Sequence, residues 1–244
     1  TTLEDFSTVF NGNTEVFWCG VMASPRNTSD ETFLCFGNAE GEILVYNGDN
    51  PGASNWKQVG KFKVPTVIQH MSVLEYNNDI WIATYAGIYS LRALFSQGSD
   101  ASDTELTVTS AFNDYWLDLH NDNRTAYATA QSFQMDFDEF ENKVYVMTRG
   151  GFDSDGDYDN TLNTFFVYNG ITQSWSEYVI DIGAINSFSS IAYHGGTVYF
   201  TINAKVYKFD PTVFKDEDYT GTGTYNAYSF KLYSAYFKFD SKFT

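Results

Sequence analysis

The densest run of potential ligand side chains in the sequence is Asp153-Ser154-Asp155-Gly156-Asp157-Tyr158-Asp159-Asn160. Alternating carboxylates around a glycine can turn several hard oxygens toward one point, and Ca²⁺ takes roughly six to eight of them. Asp153, Asp155, Asp157 and Asp159 are therefore the candidate metal ligands, with calcium the candidate cofactor. The spacing departs from an EF-hand loop: counted from Asp153, the glycine falls at the fourth position instead of the sixth, and Thr164 stands where the closing glutamate belongs. The competing reading is a solvated hairpin tip, because Asp and Gly are also the residues that tight turns select.

Catalytic chemistry finds no comparable concentration. His70, His120 and His194 are scattered, without the His-Glu-x-x-His spacing of a zinc site, and the Gly-x-Ser-x-Gly elbow of a serine hydrolase is missing. His194 precedes Gly195-Gly196 and reads as a solvent-exposed turn residue. Acidic pairs such as Asp138-Glu139 sit at predicted hairpin ends rather than as the spaced carboxylates of a glycosidase. We expect a protein that is not an enzyme and has no catalytic residues. Cys19 and Cys35 fall on neighbouring predicted strands, but two cysteines in 244 residues make no disulfide framework, and buried free thiols are expected.

Composition narrows the function classes further. The chain carries 31 Asp plus Glu against 14 Lys plus Arg, a net charge of −17 that repels a phosphate backbone, so no nucleic-acid partner is expected. No run of about 18 apolar residues exists, and no basic stretch leads into an apolar one, so neither a membrane span nor a signal peptide is predicted. Aromatic residues make up 18% of the chain, with 22 Phe and 18 Tyr, which suits sheets packed against one another. The chain opens at Thr1 and stops at Ser241-Lys242-Phe243-Thr244, just past a strand-like run, and is expected to be an excised or processed piece of a longer protein.

The elements that would hold these residues are written as a repeat. Val45 to Leu91 and Val167 to Pro211 share one pattern: Tyr46 with Tyr168, Trp56 with Trp175, Ser72 with Ser190, Ile80-Trp81-Ile82 with Val198-Tyr199-Phe200, and Ile88-Tyr89 with Val206-Tyr207. A partial third copy sets Met135, Phe137, Glu139, Phe140, Asn142, Val144 and Tyr145 against Met71, Val73, Glu75, Tyr76, Asn78, Ile80 and Trp81. Each copy consists of short β-branched and aromatic runs broken by Asn, Asp and Gly, the signature of strands joined by hairpin turns. Asn77-Asn78-Asp79, Gly195-Gly196, Asn47-Gly48 and Asn169-Gly170 supply residues that tolerate the positive φ of primed turns.

A sheet of three or four strands cannot bury both faces alone, so repeated units of roughly 40 residues must stack, and radial stacking gives a propeller. The expected fold is all-β: an antiparallel β-propeller of about five irregular blades in a single domain over 1–244, with a β-sandwich as the alternative. Blades are placed at Thr14–Tyr46, Trp56–Leu91, Gln131–Tyr168, Trp175–Asp210 and from Tyr225 onward. The recurring Tyr and Trp residues are expected to pack between blades. Phe6, Val9 and Phe10 of the leading arm are expected to complete a blade left open by the C-terminus. Segment 92–130 breaks the repeat and is expected as an insertion or degenerate blade; 96–104 reads as a loop and 111–119 as a short helix or irregular strand.

Two resemblances rest on these residues. The order Val167-Tyr168-Asn169-Gly170, Trp175, Gly195-Gly196-Thr197-Val198-Tyr199 and Val206-Tyr207-Lys208-Phe209-Asp210-Pro211 resembles a degenerate kelch repeat, from a family of propellers that mostly bind other proteins. Ile80-Trp81-Ile82-Ala83-Thr84 leading to Gly87-Ile88-Tyr89, together with the terminal run from Tyr225 to Phe239, resembles the propeller domains of tail nozzle and tail tube proteins of short-tailed bacteriophages. That resemblance implies a non-catalytic, ring-forming virion component whose partners are other tail chains or further copies of itself. The alternative is a kelch-like protein-binding propeller, or an extracellular one that binds a host surface glycan, with Tyr115 and Trp116 as an exposed aromatic platform for the sugar.

Overall fold

The computed structural model describes residues 10, 15–23, 32–47, 56–97, 106–122, 133–152, 155, 157–180, 188–202, 205–209, 215–217, 225–227 and 229–233. The protein is all-β with antiparallel sheets, among which the described residues include the short helices α1 (Leu91–Gln97) and α2 (Asn113–Asp122). It divides into two compact units, Thr1–Leu117 and Asp118–Thr244.

Unit 1 holds two meanders. The first is β1 (Trp18–Ala23), β2 (Thr32–Gly37), β3 (Glu42–Asn47) and β4 (Lys57–Lys63); the second is β5 (Val73–Tyr76), β6 (Asp79–Thr84) and β7 (Gly87–Ser90). Strand β1 alternates strictly, with Trp18, Gly20 and Met22 buried and Cys19, Val21 and Ala23 exposed, as a strand with one wet face must. Strand β3 is a continuous apolar run because both its faces are covered. Ile43 and Val45 join Met22, Phe33, Ile80 and Ile82 in the unit's main core, while Leu44 and Tyr46 pack on Phe10. Trp18 lies over its cross-strand partner Gly37, where a Cβ would fall 2.2 Å from the indole, so any side chain at 37 would displace the tryptophan. Phe6 and Val9 lie outside the described residues.

Unit 2 carries β8 (Phe133–Asp138), β9 (Lys143–Phe152), β10 (Tyr158–Asn169) and β11 (Ser174–Ile180) in one meander, then β12 (Phe188–His194), β13 (Thr197–Ile202) and β14 (Lys205–Phe209) in another. After a two-stranded ladder of β15 (Lys215–Glu217) and β16 (Tyr225–Ala227), β17 (Ser229–Tyr233) joins the outer side of β11. The core of this unit gathers Tyr145, Met147, Phe165 and Val167 from the first sheet with Ile191, Val198 and Phe200 from the second. Phe200 stacks on its cross-strand partner Tyr207 with centroids 5.4 Å apart.

Hairpins form where residues with access to positive φ were placed. Asn77 and Asn78, at φ 51° and 59°, close β5–β6, and Gly195 and Gly196, at 59° and 82°, close β12–β13. Asn169-Gly170 behaves differently from expectation. The Asn169 side-chain oxygen accepts the N–H groups of Ile171 and Thr172 at 2.9 and 3.2 Å, and positive φ appears at Gln173, so the loop runs over four residues. Of Asn47-Gly48, the glycine lies outside the described residues.

Three expectations are corrected. Trp56 and Trp175 do not open new sheets: β4 pairs with β3, and β11 pairs with β10, so each tryptophan belongs to the sheet of the preceding tyrosine. Tyr46 stacks on Trp56 at 4.9 Å, and Tyr168 faces Trp175 across the ladder at 5.1 Å. These rings therefore pack within a sheet: Trp175 is the direct cross-strand partner of Tyr168, and Trp56, just before β4, lies diagonal to Tyr46, whose direct partner is Gln58. The blade boundaries Trp56–Leu91 and Trp175–Asp210 move accordingly. The run from Tyr225 onward forms no sheet of its own among the described residues, since its strands pair with β15 and β11.

Segment 92–130 begins as helix α1 directly after β7. It then returns to that strand's outer edge, where Thr107 bridges to Tyr89 and the Val108 N–H donates to the Ile88 carbonyl at 2.9 Å. The second sheet thus gains a one-bridge fourth strand before the chain enters α2.

Candidate functional site

The acidic stretch lies at the end of an arm. Strand β8 follows β9 only as far as Thr148, and β11 follows β10 only from Asn163. Beyond those points Gly151 pairs with Asp159 and Phe152 with Tyr158, forming a two-stranded extension past a bulge. Asp155 and Asp157 are exposed there, Asp159 is half-buried, and Asp153 lies outside the described residues. Among the described residues no group of three or more His, Cys, Asp or Glu side chains is gathered in a way that could hold a metal ion.

The histidines are not brought together with a common partner. In unit 1 His70 is exposed and meets Phe17 edge-on at 6.2 Å. In unit 2 His194 stands exposed at the end of β12, whereas His120 is fully buried against Phe133 at 5.6 Å. Burial drives the His120 pKa down to about 3, so its imidazole stays neutral at physiological pH. Cys19 opposes Phe36 and Cys35 opposes Gly20, which puts the two thiols on opposite faces of the sheet. Both are free, but only Cys35 is buried as expected; Cys19 lies on the exposed face of β1. Burial, reinforced by the charges of Glu75 and Asp79, pushes the Cys35 thiol up to about 12, which removes the thiolate that a nucleophile needs.

A recess of about 290 Å³ in unit 1 is lined by residues that include Val21, Thr32, Glu75, Tyr76, Asn78 and Asp79. Its two carboxylates are committed to the framework. Glu75 Oε1 accepts the Val21 N–H at 2.7 Å, linking the first strands of the two sheets. Asp79 accepts the Ser90 hydroxyl at 2.6 Å and the Arg92 and Ile80 N–H groups at 2.8 and 2.7 Å, while Ser90 Oγ accepts the Ala93 N–H at 3.0 Å. Ser90 and Asp79 together satisfy two of the orphan N–H groups at the start of α1. Burial raises the Asp79 pKa, and these hydrogen bonds oppose the rise. As a turn former Asp79 was legible in the sequence; its helix-capping role was not, because the helix it caps belongs to the segment that breaks the repeat.

In unit 2 the seam between sheets is made by side chains that imitate a strand. Gln134 Nε2 donates to the Ile191 carbonyl at 2.8 Å and Gln134 Oε1 accepts the Ile191 N–H at 2.9 Å. Two residues on, Asp136 Oδ2 accepts the Tyr193 N–H at 2.7 Å. The matched increments mean that β8 and β12 run in the same direction, so the β8–β9 and β12–β13 turns share one end of the unit. The β10–β11 turn lies there too, tied by the Gly170 N–H donating to the Asn142 carbonyl at 2.8 Å. This end presents Phe140 at 79% and Ile171 at 76% exposure, with exposed Glu139, Glu141 and His194 around them. Phe140 also meets Tyr193 with centroids 6.4 Å apart. Two large apolar side chains are thus held out by turns that share this end of the unit, beside the Glu141–Lys143 ion pair. The repeat aligned Phe140 with Tyr76 and gave no signal that it would face outward.

The proposed sugar platform is corrected as well. Trp116 is completely buried and its indole N–H donates to the Thr84 carbonyl at 3.0 Å; Tyr115 is half-buried. Among the described residues no helix is long and apolar enough to cross a membrane.

No family model matches the sequence, and no curated protein does. Among solved structures, a chain described as the extracellular domain of a one-component system from B. thetaiotaomicron is similar at 15% identity, with a TM-score of 0.35 over 83% of this chain. This chain spans 27% of the length of that one.

Proposed function

We propose that this protein is a non-catalytic β-propeller that works by assembling with other protein chains, as a virion component of the kind found in the tails of short-tailed bacteriophages. The observation that carries the assembly reading is the turn-bearing end of unit 2, where Phe140 and Ile171 stand out from ordered turns. The polar side chains that a catalyst would need are occupied otherwise: Asp79 caps a helix, Gln134 and Asp136 complete a strand edge, and His120 is buried and neutral. The propeller arrangement is supported by the parallel first strands β8 and β12 of successive sheets, since blades around an axis place their innermost strands in that relation. The virion setting rests on the resemblance of the Ile80–Thr84 and Gly87–Tyr89 runs. No calcium requirement is part of this reading.

Electron microscopy of the purified protein, alone and co-expressed with the products of neighbouring genes, is the test. Rings or a stable complex with a tail chain are expected, with the complex lost in a Phe140→Asp/Ile171→Asp variant whose unfolding transition is unchanged. A monomer with saturable binding to one glycan would overturn the assembly reading. Turnover of a glycoside, ester or phosphate substrate that disappears on changing His70, His120 or His194 would overturn the non-catalytic one.

A further inference from the structure

We propose that the second half of α2 is an acid-released latch, which leaves β8 when His120 takes up a proton while Trp116 keeps the first half of the helix seated. The helix and the turn before it bury one stripe. Phe112, Trp116, Leu119 and His120 are buried at the i, i+4, i+7, i+8 spacing of a single helix face, while Asp114, Asp118 and Asn121 are exposed. An imidazole therefore occupies a place on a stripe whose other three positions are apolar. The two halves are seated by different chemistry. In unit 1, Trp116 meets Phe112 edge-on at 6.3 Å and donates its indole N–H to the Thr84 carbonyl at 3.0 Å, and none of these groups titrates. The division between the units falls after Leu117, and in unit 2 His120 packs on Phe133, the first residue of β8, with ring centroids 5.6 Å apart.

Proton uptake and seating exclude each other at this position. Burial holds the folded His120 pKa at about 3 against the ordinary 6.5, because an imidazolium taken out of water needs a counter-charge. The charged groups on the elements around it supply none. Asp114 and Asp118 lie on the exposed face of α2. On β8, Asp136 accepts the Phe137 and Tyr193 N–H groups and Asp138 accepts those of Phe140 and Glu141. On β9, Arg149 follows Thr148, the cross-strand partner of Phe133, and opposes a second positive charge. Protons thus favour any state that exposes His120, and its opening constant should rise about 25-fold from pH 7 to pH 5. Unseating half of a 10-residue helix costs less than unfolding a sheet, and a freed half-helix is too short to persist in water. The effect of acid therefore reaches α2 first. The latch is read from α2 and β8 and does not rest on the assembly reading.

Amide exchange resolved along the full-length chain at pH 7 and pH 5, corrected for intrinsic rates, tests it. The amides of Leu119, His120 and Asn121 are expected to be less protected than those of Val144 and Val146 in β9, to be insensitive to low denaturant, and to lose protection about 25-fold at the lower pH. The Trp116 indole N–H should stay protected throughout. In His120→Leu, and in His120→Asn, which is polar but does not titrate in this range, the pH effect at these amides should disappear. Wild-type exchange at Leu119 to Asn121 that follows the β9 amides at every denaturant concentration would mean that only global unfolding exposes His120, and would overturn the latch. A pH effect that survives both substitutions would overturn it as well.

Discussion

The β5–β6 hairpin of unit 1 and the β8–β9 hairpin of unit 2 match residue for residue in the repeat, yet Tyr76 is 5% exposed against Trp81 while its counterpart Phe140 is 79% exposed. The difference lies in where each ladder closes. Unit 1 pairs Tyr76 with Asp79 around the two-residue Asn77-Asn78 turn. Unit 2 stops at Asp138↔Lys143, two residues earlier on the first strand, so Phe140 falls inside a four-residue turn. The residue that lifts the chain out of the ladder is Asp138, whose Oδ1 accepts the Phe140 and Glu141 N–H groups at 2.9 and 3.0 Å. Its counterpart in unit 1 is Leu74, which has no oxygen to offer. One polar side chain thus decides whether a repeated aromatic enters the core or becomes surface. The outer edges diverge in the same way: unit 1 finishes its second sheet with a single bridge at Thr107, unit 2 finishes its first with β17.

Unit 1 should suffer most from a single core change. Trp116→Ala removes a fully buried ring and leaves the Thr84 carbonyl without its donor, and should cost about 3–5 kcal/mol in denaturant unfolding. Next comes the contrast between the two seams. Gln134→Leu strands both polar groups of Ile191 in a buried site and should cost about 2–3 kcal/mol, whereas Glu75→Leu, whose bond to Val21 is exposed and replaceable by water, should cost less than about 1 kcal/mol. Equal costs would mean that the seams do not differ as their burial indicates.

A pH series sharpens the same comparison in unit 2. The unfolded chain's imidazole takes up a proton near pH 6.5, but burial holds folded His120 down to about 3, so protons favour the unfolded state between those values. The stability due to neutral His120 is fully present above pH 6.5 and is lost as pH falls. Between pH 7 and 5 the loss should be about 2 kcal/mol, and it should vanish in His120→Leu. Smaller still, Asp138→Leu copies unit 1 into unit 2. It should cost about 1–2 kcal/mol and weaken hydrogen-exchange protection at the Phe140 and Glu141 amides specifically. At the bottom of the scale, millimolar Ca²⁺ should leave the Tm unchanged, since a ligand held by the arm from Phe152 to Tyr158 in the native state alone would have to raise it.

The all-β class, most strand positions, and the turns at Asn77-Asn78 and Gly195-Gly196 were legible in the sequence, because side-chain alternation and access to positive φ are properties of a few neighbouring residues. The sequence also placed the acidic arm between two strands and kept Cys19 and Cys35 unpaired. Of the candidate contact surface it gave only the turns, not the exposure of Phe140 or Ile171. Packing settled that β4, just after Trp56, and β11, which contains Trp175, complete the preceding sheets, that Trp116 is core, that Asp79 caps α1, and that Gln134 and Asp136 bridge to a strand far along the chain. Each of these depends on a partner many residues distant. A periodic pattern tells a residue which way its side chain points relative to its neighbours, but what it meets there is set only when the sheets pack.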